Sequence, residues 1–170
     1  MATARSLAEG HKKFTVLTTK PANVLQPTVT ELNAGIDASC AILESDFTWT
    51  AQDSDKTQEK ALCTTNNANA LGASNFDTAV TLFRYFDTTT KNPDATADAA
   101  FAALAVKGTT VWCYLRNNAK LSTQAWAAAD IMELGGEVIT DAFQSPGNDG
   151  FIKHRVPMEA QNMVQNIVLA

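Results

Sequence analysis

Residues 76–87, FDTAVTLFRYFD, form the longest unambiguous strand signal in the chain and constrain most of what it can fold into. β-branched and aromatic side chains fill 78–86, and these suit a pleated, packed surface. Alternation along a strand puts Thr78, Val80, Leu82, Arg84 and Phe86 on one face and Ala79, Thr81, Phe83 and Tyr85 on the other. Neither face is a clean polar row, so both are expected to be covered, by the chain's own layers or by neighbouring subunits. The central strand of an ordinary sandwich satisfies the same pattern.

With 170 residues, 45% hydrophobic and 18% charged, one domain over 1–170 with a sizeable core is expected. The net charge of −5 and the scattered lysines and arginines argue against a protein that grips nucleic acid by its phosphates. An acidic surface instead suits DNA that must pass without being held. Cys40, Cys63 and Cys113 are odd in number and widely spaced, which disfavours a disulfide scaffold or a zinc site. They read as reduced, small, buried residues. Residues 1–20 lack a signal-peptide core and no apolar run could span a bilayer, so the expected chain is intracellular when made, with no membrane partner.

Taken in order, 1–20 read as an N-terminal arm, mobile over 1–11 and carrying a short strand at 14–18 around Phe14 and Val16. Pro21 and Pro27 punctuate an extended crossing. A helical turn at 28–34 follows, with Gly35 placed to end it in the left-handed conformation. Residues 36–43 and 47–50 read as two strands whose simplest pairing is a hairpin, with Phe47 and Trp49 pointing the same way. Residues 51–75 then lose all regularity apart from the island Ala61, Leu62 and Cys63, which marks a loop that docks; an edge strand at 60–65 is the alternative.

Asn92 and Pro93 open the only clear helix, with Ala97, Ala100, Phe101, Leu104 and Ala105 on one face and Gly108 closing it. Residues 109–116 are a strong strand, with Val111, Cys113 and Leu115 opposing Trp112 and Tyr114. Residues 121–129 fit helix and strand equally, and 131–143 look extended, with Gly135 and Gly136 marking a bulge or bend. A turn at 145–150 leads to a strand at 151–156 that Pro157 keeps from continuing as a central one. The tail, 158–170, ends in Ile167, Val168 and Leu169, which need a partner. Strands, one helix, then strands make an α+β, mainly β fold: an antiparallel β-sandwich with one flanking α-helix, an extended N-terminal arm, a long docking loop and a C-terminal tail.

Chemistry is sparse. His11 lies in the polar arm and His154 stands between Lys153 and Arg155; no nucleophile elbow, metalloprotease helix, phosphate loop or dinucleotide fingerprint occurs. Asp53, Asp55 and Glu59 read as solvated loop carboxylates. No catalytic, cofactor-binding or metal-binding residue is assigned, and no enzyme is expected. The arm, the docking loop, the two-faced strand and the apolar tail are instead what a subunit of a ring or stacked polymer carries, since neighbours make sheet edges and sticky tails safe.

From 53 to 87 the sequence resembles the major tail (tail tube) proteins of long, non-contractile-tailed bacteriophages, especially those of actinobacterial hosts. The resemblance rests on an acidic and threonine-rich stretch, then Glu59-Lys60-Ala61-Leu62-Cys63, then Gly72-Ala73-Ser74-Asn75-Phe76 leading into Leu82-Phe83-Arg84-Tyr85-Phe86-Asp87. It implies a sandwich with one flanking helix, assembled as hexameric rings that stack into a tube in the virion tail, put together in the host bacterial cytoplasm. Viral DNA passes through the lumen without specific binding, and the tape measure, terminator and distal tail proteins are the other partners. Inter-subunit contacts would fall at Phe14, Val16, Ala61, Leu62, Cys63, Ile167, Val168 and Leu169. The strands at 78–86 and 131–143 would contribute to the inner barrel, with Thr140 and Asp141 facing the lumen. A tail terminator or head-to-tail connector ring is the nearest alternative; a small-molecule-binding β domain is the alternative from another class.

Overall fold

The apolar runs at 76–83 and 110–117 become two strands of one sheet, separated in it by two others. The structure, a computed structural model, describes residues 8–63, 65–66, 68–147 and 149–170. Its strands are β1 (Lys12–Leu17), β2 (Ile36–Asp37), β3 (Thr48–Gln52), β4 (Lys56–Glu59), β5 (Ala68–Leu71), β6 (Asn75–Phe83), β7 (Thr110–Asn117), β8 (Ile131–Thr140) and β9 (Lys153–Val168). Seven of them form an antiparallel sheet in the order β2-β1-β7-β8-β9-β6-β3, while β4 and β5 pair with each other. Two six-residue helices flank it: α1 (Val29–Ala34), the helical turn expected at 28–34, and α2 (Ala99–Leu104), the flanking helix.

The sheet folds over on itself. Phe14 in β1, next to the short terminal strand β2, meets Trp49 in β3, at the other end of the strand order, edge-on at 4.9 Å, and Phe47 joins them at 5.5 Å from Phe14. The Trp49 indole N–H donates to the Leu134 carbonyl at 3.1 Å, which pins β3 across the core to β8. Residues 38–43 bridge the two ends: Ala38 N–H donates to Phe14 O, and Leu43 and Phe83 donate to Thr81 O and Ala41 O. The main core therefore lies inside the fold, built from Phe14, Val16, Trp49, Val80, Leu82, Phe101, Leu104, Val111, Cys113 and Leu115 among others. A second cluster on the outer side of β7 and β8 holds Leu17, Val24, Leu32, Trp112, Tyr114, Trp126, Met132 and Leu169. The alternation read in β7 is thus observed, with odd and even residues feeding different cores.

Several local expectations are corrected. β3 pairs with β6, from Thr48 opposite Ala79 to Gln52 opposite Asn75, and no hairpin joins it to 36–43. The strand expected over 36–43 shrinks to Ile36–Asp37 and an isolated bridge at Ile42, because 38–41 must turn to cross between the sheet's two ends. Thr28 and Glu31 make a reciprocal capping box at the start of α1, but Gly35 ends it at φ −74°, not in the left-handed region. Glycine is needed there for space: a Cβ would sit 2.4 Å from Leu17 Cδ2 and 3.0 Å from Val16 O. The second helix begins at Ala99, not at Pro93, because Pro93 bridges back to Phe86 and Asp94 folds its own turn by accepting from the Thr96 and Ala97 N–H groups. Residues 121–129 are neither helix nor strand.

Pro157 lies inside the sixteen-residue β9, flanked by β8 and β6, contrary to the expectation that it would stop a central strand. The ladder explains the tolerance. Pro157 O accepts from Asp141 N–H just past the end of β8, so the missing proline N–H falls where the β8 ladder has already closed.

Candidate assembly interface

Every side chain of β4 and β5 is exposed, an unusual state for paired strands. The register shows why they are ordered. Gln52 faces Asn75 in the body, and four residues further on Lys56 faces Leu71, so β3–β4 and β5–β6 are one continuous hairpin. The link at 53–55 stays tied by Gly72 N–H to Asp55 O at 2.7 Å and by Asp55 N–H to Ala73 O at 3.0 Å. Glu59 lies seven residues beyond the end of β3, so the ribbon carries its tip roughly 24 Å past the body. Among its described residues, the docking loop expected over 51–75 is therefore largely a two-stranded ribbon. The alternative edge strand at 60–65 is not seen among its described residues, and Thr64 lies outside them.

The ribbon leaves a split seam at its base. β6 and β9 pair from Phe83 opposite Lys153 to Thr78 opposite Met158 and then part. The next pair would set the Asp77 and Glu159 carboxylates face to face, which disfavours pairing. β9 also carries an extra residue at that point: Glu137 faces Asn162 while Val138 faces Ala160, leaving Gln161 as a bulge that bends the strand. Gly136 permits it, since a Cβ there would lie 2.0 Å from Asn162 O. Beyond Met158 no strand among the described residues pairs with β9 on the side away from β8. That open edge bears the exposed, uncharged side chains of Gln161, Asn162, Gln165 and Asn166.

The residues expected at subunit contacts divide accordingly. Phe14, Val16 and Leu169 are 2%, 0% and 2% exposed, and this chain's own core claims all three, which corrects the expectation for them. The N-terminal strand and the C-terminal tail are integral parts of this sheet: β1 pairs with β7 along its length, and β9 with β8. Ile167 is half-buried against the second cluster, whereas Val168 is exposed. Ala61 and Cys63 are exposed at the ribbon tip beside Leu62, which protrudes fully. Residues 1–7 of the expected arm lie outside the described residues. Of the two residues expected in the lumen, Thr140 is buried and donates to Val106 O at 2.6 Å, a structural role that corrects the expectation. Asp141 is half-exposed and paired with Lys107 at 2.8 Å, a contact that holds its carboxyl below the usual range.

Titratable groups serve packing. Arg84, where β6 ends, grips Asp98 through two nitrogens at 2.8–3.1 Å and lies 3.8 Å above the Phe101 ring, tying the strand to α2. His154 packs against Phe101 and Phe143, and burial together with the nearby Arg84 charge lowers its pKa. Sequence reasoning missed Arg116 altogether. It is fully buried on the outer side of β7, where it donates to Leu121 O, Gln124 O, Ala125 O and the Asp130 carboxylate. Cys113 is buried, and burial pushes its thiol pKa up, but Cys40 and Cys63 are exposed, against the expectation of three buried thiols. Among the described residues no three His, Cys, Asp or Glu side chains are grouped to hold a metal ion, and no helix is long and apolar enough to cross a membrane. A groove of about 370 Å³ between the sheet's two ends is lined by Lys12, Phe14, Cys40, Ile42, Glu44 and Phe47 among others, and no histidine reaches it.

No curated protein matches the chain. A family model described as phage tail tube protein matches residues 1–170, the whole chain, and the mainly β fold with its large antiparallel sheet is consistent with that family. The chain belongs to the phage tail tube protein family and is a structural component of the virion tail.

Proposed function

We propose that the chain polymerises as rings of six subunits stacked into a tube, through whose lumen viral DNA leaves the capsid. The observation that carries this reading is the ribbon. Two strands exposed on both faces are marginally stable in water, so an arm of this kind gains most when a neighbouring copy covers it. The net charge of −5 suits a lumen that repels phosphates, which lets DNA slide. Tape measure, terminator and distal tail proteins are the partners this reading assigns, with assembly in the host bacterial cytoplasm. Negative-stain electron microscopy of the purified protein at rising concentration tests it. Long tubes with sixfold end views are expected. Isolated rings that never stack would assign a terminator or connector role, and a persistent monomer would reject the polymer altogether.

A further inference from the structure

The split seam leaves two open edges on every copy. One is the outer edge of the ribbon, Ala68–Leu71, continuing the side of β6 that faces β9. The other is the edge of β9 past Met158. We propose that these two edges pair with each other between copies, the ribbon edge of one subunit lying antiparallel along the β9 edge of the next. The proposal rests on the tube reading and deepens it by naming the two surfaces that join.

Three observations favour a second copy as the occupant. The two edges are halves of one interrupted ladder, so a joint between copies continues an interface already present inside each chain. Both are free of charge where they would meet: β5 reads Ala-Asn-Ala-Leu, and β9 from Ala160 to Val168 holds no ionisable side chain, so no like-charge pair of the Asp77–Glu159 kind blocks them. Finally, the edges differ from each other, so the contact is head-to-tail and can propagate around a ring, where a self-complementary patch would stop at a dimer. Backbone hydrogen bonds supply the strength, as in other strand additions.

The backbone indicates which groups would bond. Gly72 N–H points across the ribbon to Asp55, so by alternation the N–H of Asn69 points outward. Thr140 turns its backbone to β7 through Thr109 and Gly108. By the same alternation so does Leu134, and its partner Gln165 presents its N–H on the open side. Asn69→Pro and Gln165→Pro each delete one outward donor while sparing the ladders inside the chain.

The test uses the full-length protein, with assembly read by electron microscopy and size-exclusion light scattering. Wild type is expected to polymerise; if it does not, the tube reading itself fails. Each proline variant alone is expected to stay monomeric, with the cooperative melt of a folded subunit. An equimolar mixture is expected to give a one-to-one dimer and nothing larger, because each variant retains the edge the other has lost. If either proline variant polymerises as well as wild type, or the mixture remains monomeric, the edges do not pair and the proposal is overturned while the tube stands. Should Asn69→Pro fail to fold, replacing residues 56–71 by Asn-Gly closes the hairpin at Asp55 and Gly72 and supplies the same ribbon-less partner. That variant should cap wild-type growth, and uncapped growth would overturn the pairing.

Discussion

Replacing Arg116 with methionine keeps an unbranched apolar stem and removes the guanidinium with its charge. The guanidinium is the largest fully buried side chain, with one nitrogen on Asp130 at 3.1 Å, three loop carbonyls at 2.9–3.0 Å, and the Trp126 ring centroid 5.3 Å away. Removing one partner of a buried ion pair costs about 3–5 kcal/mol, because the other charge stays buried. Lys120 also holds Asp130, at 2.6 Å, and compensates part of that loss, while the stranded carbonyls of Leu121, Gln124 and Ala125 work in the opposite direction. The expected loss is therefore about 3–5 kcal/mol, or on the order of 6–20 °C in melting temperature for a chain of this size. Urea unfolding of the soluble subunit measures it, and the m-value should not change, since the loop remains part of the fold. Lys120→Met is the control, at under about 1 kcal/mol because that side chain is 39% exposed and Arg116 still holds Asp130. A cost for Arg116→Met no greater than that of the control would show that the guanidinium does not hold 117–130 in place.

Leu62→Asp should leave the melting of the soluble subunit within about 0.5 kcal/mol of wild type, since the residue touches no core, yet shorten or abolish tubes in electron micrographs. Unchanged tubes would remove the ribbon tip from the assembly contact. His154 has a folded pKa below its unfolded value of about 6.5, so the unfolded chain takes up the proton first. Its contribution is complete above that value and is lost as pH falls from about 6.5 toward the folded pKa; His154→Gln should flatten this part of a urea-midpoint profile, and parallel profiles would refute the assignment. Gly136→Ala drives a Cβ into Asn162 O at a backbone φ of +151° and should cost about 1–3 kcal/mol or more, whereas a neutral result would mean that the β9 bulge does not need glycine.

Side-chain periodicity is a local property, and what depends on it was legible. The two-faced character of β6, the opposed faces of β7 and the shared direction of Phe47 and Trp49 follow from alternation alone, and each is observed. The ribbon escaped notice for the same reason, because strands solvated on both faces show no alternation. Arg116 reads in sequence as an ordinary polar end to a strand; only the loop that closes over it makes it a core residue.

By itself, the sequence determined where most of the main strands run, that β6 is covered on both faces, that the chain is mainly β and that it resembles a tail tube subunit. Which strands are neighbours was decided only in three dimensions: Phe14 and Leu169 belong to the core, β3 pairs with β6, and Pro157 sits at a closed ladder end. The reason is that partners in a sheet are chosen by main-chain hydrogen bonds between distant segments. Every residue except proline offers the same donor and acceptor, so the choice leaves almost no mark on the side chains.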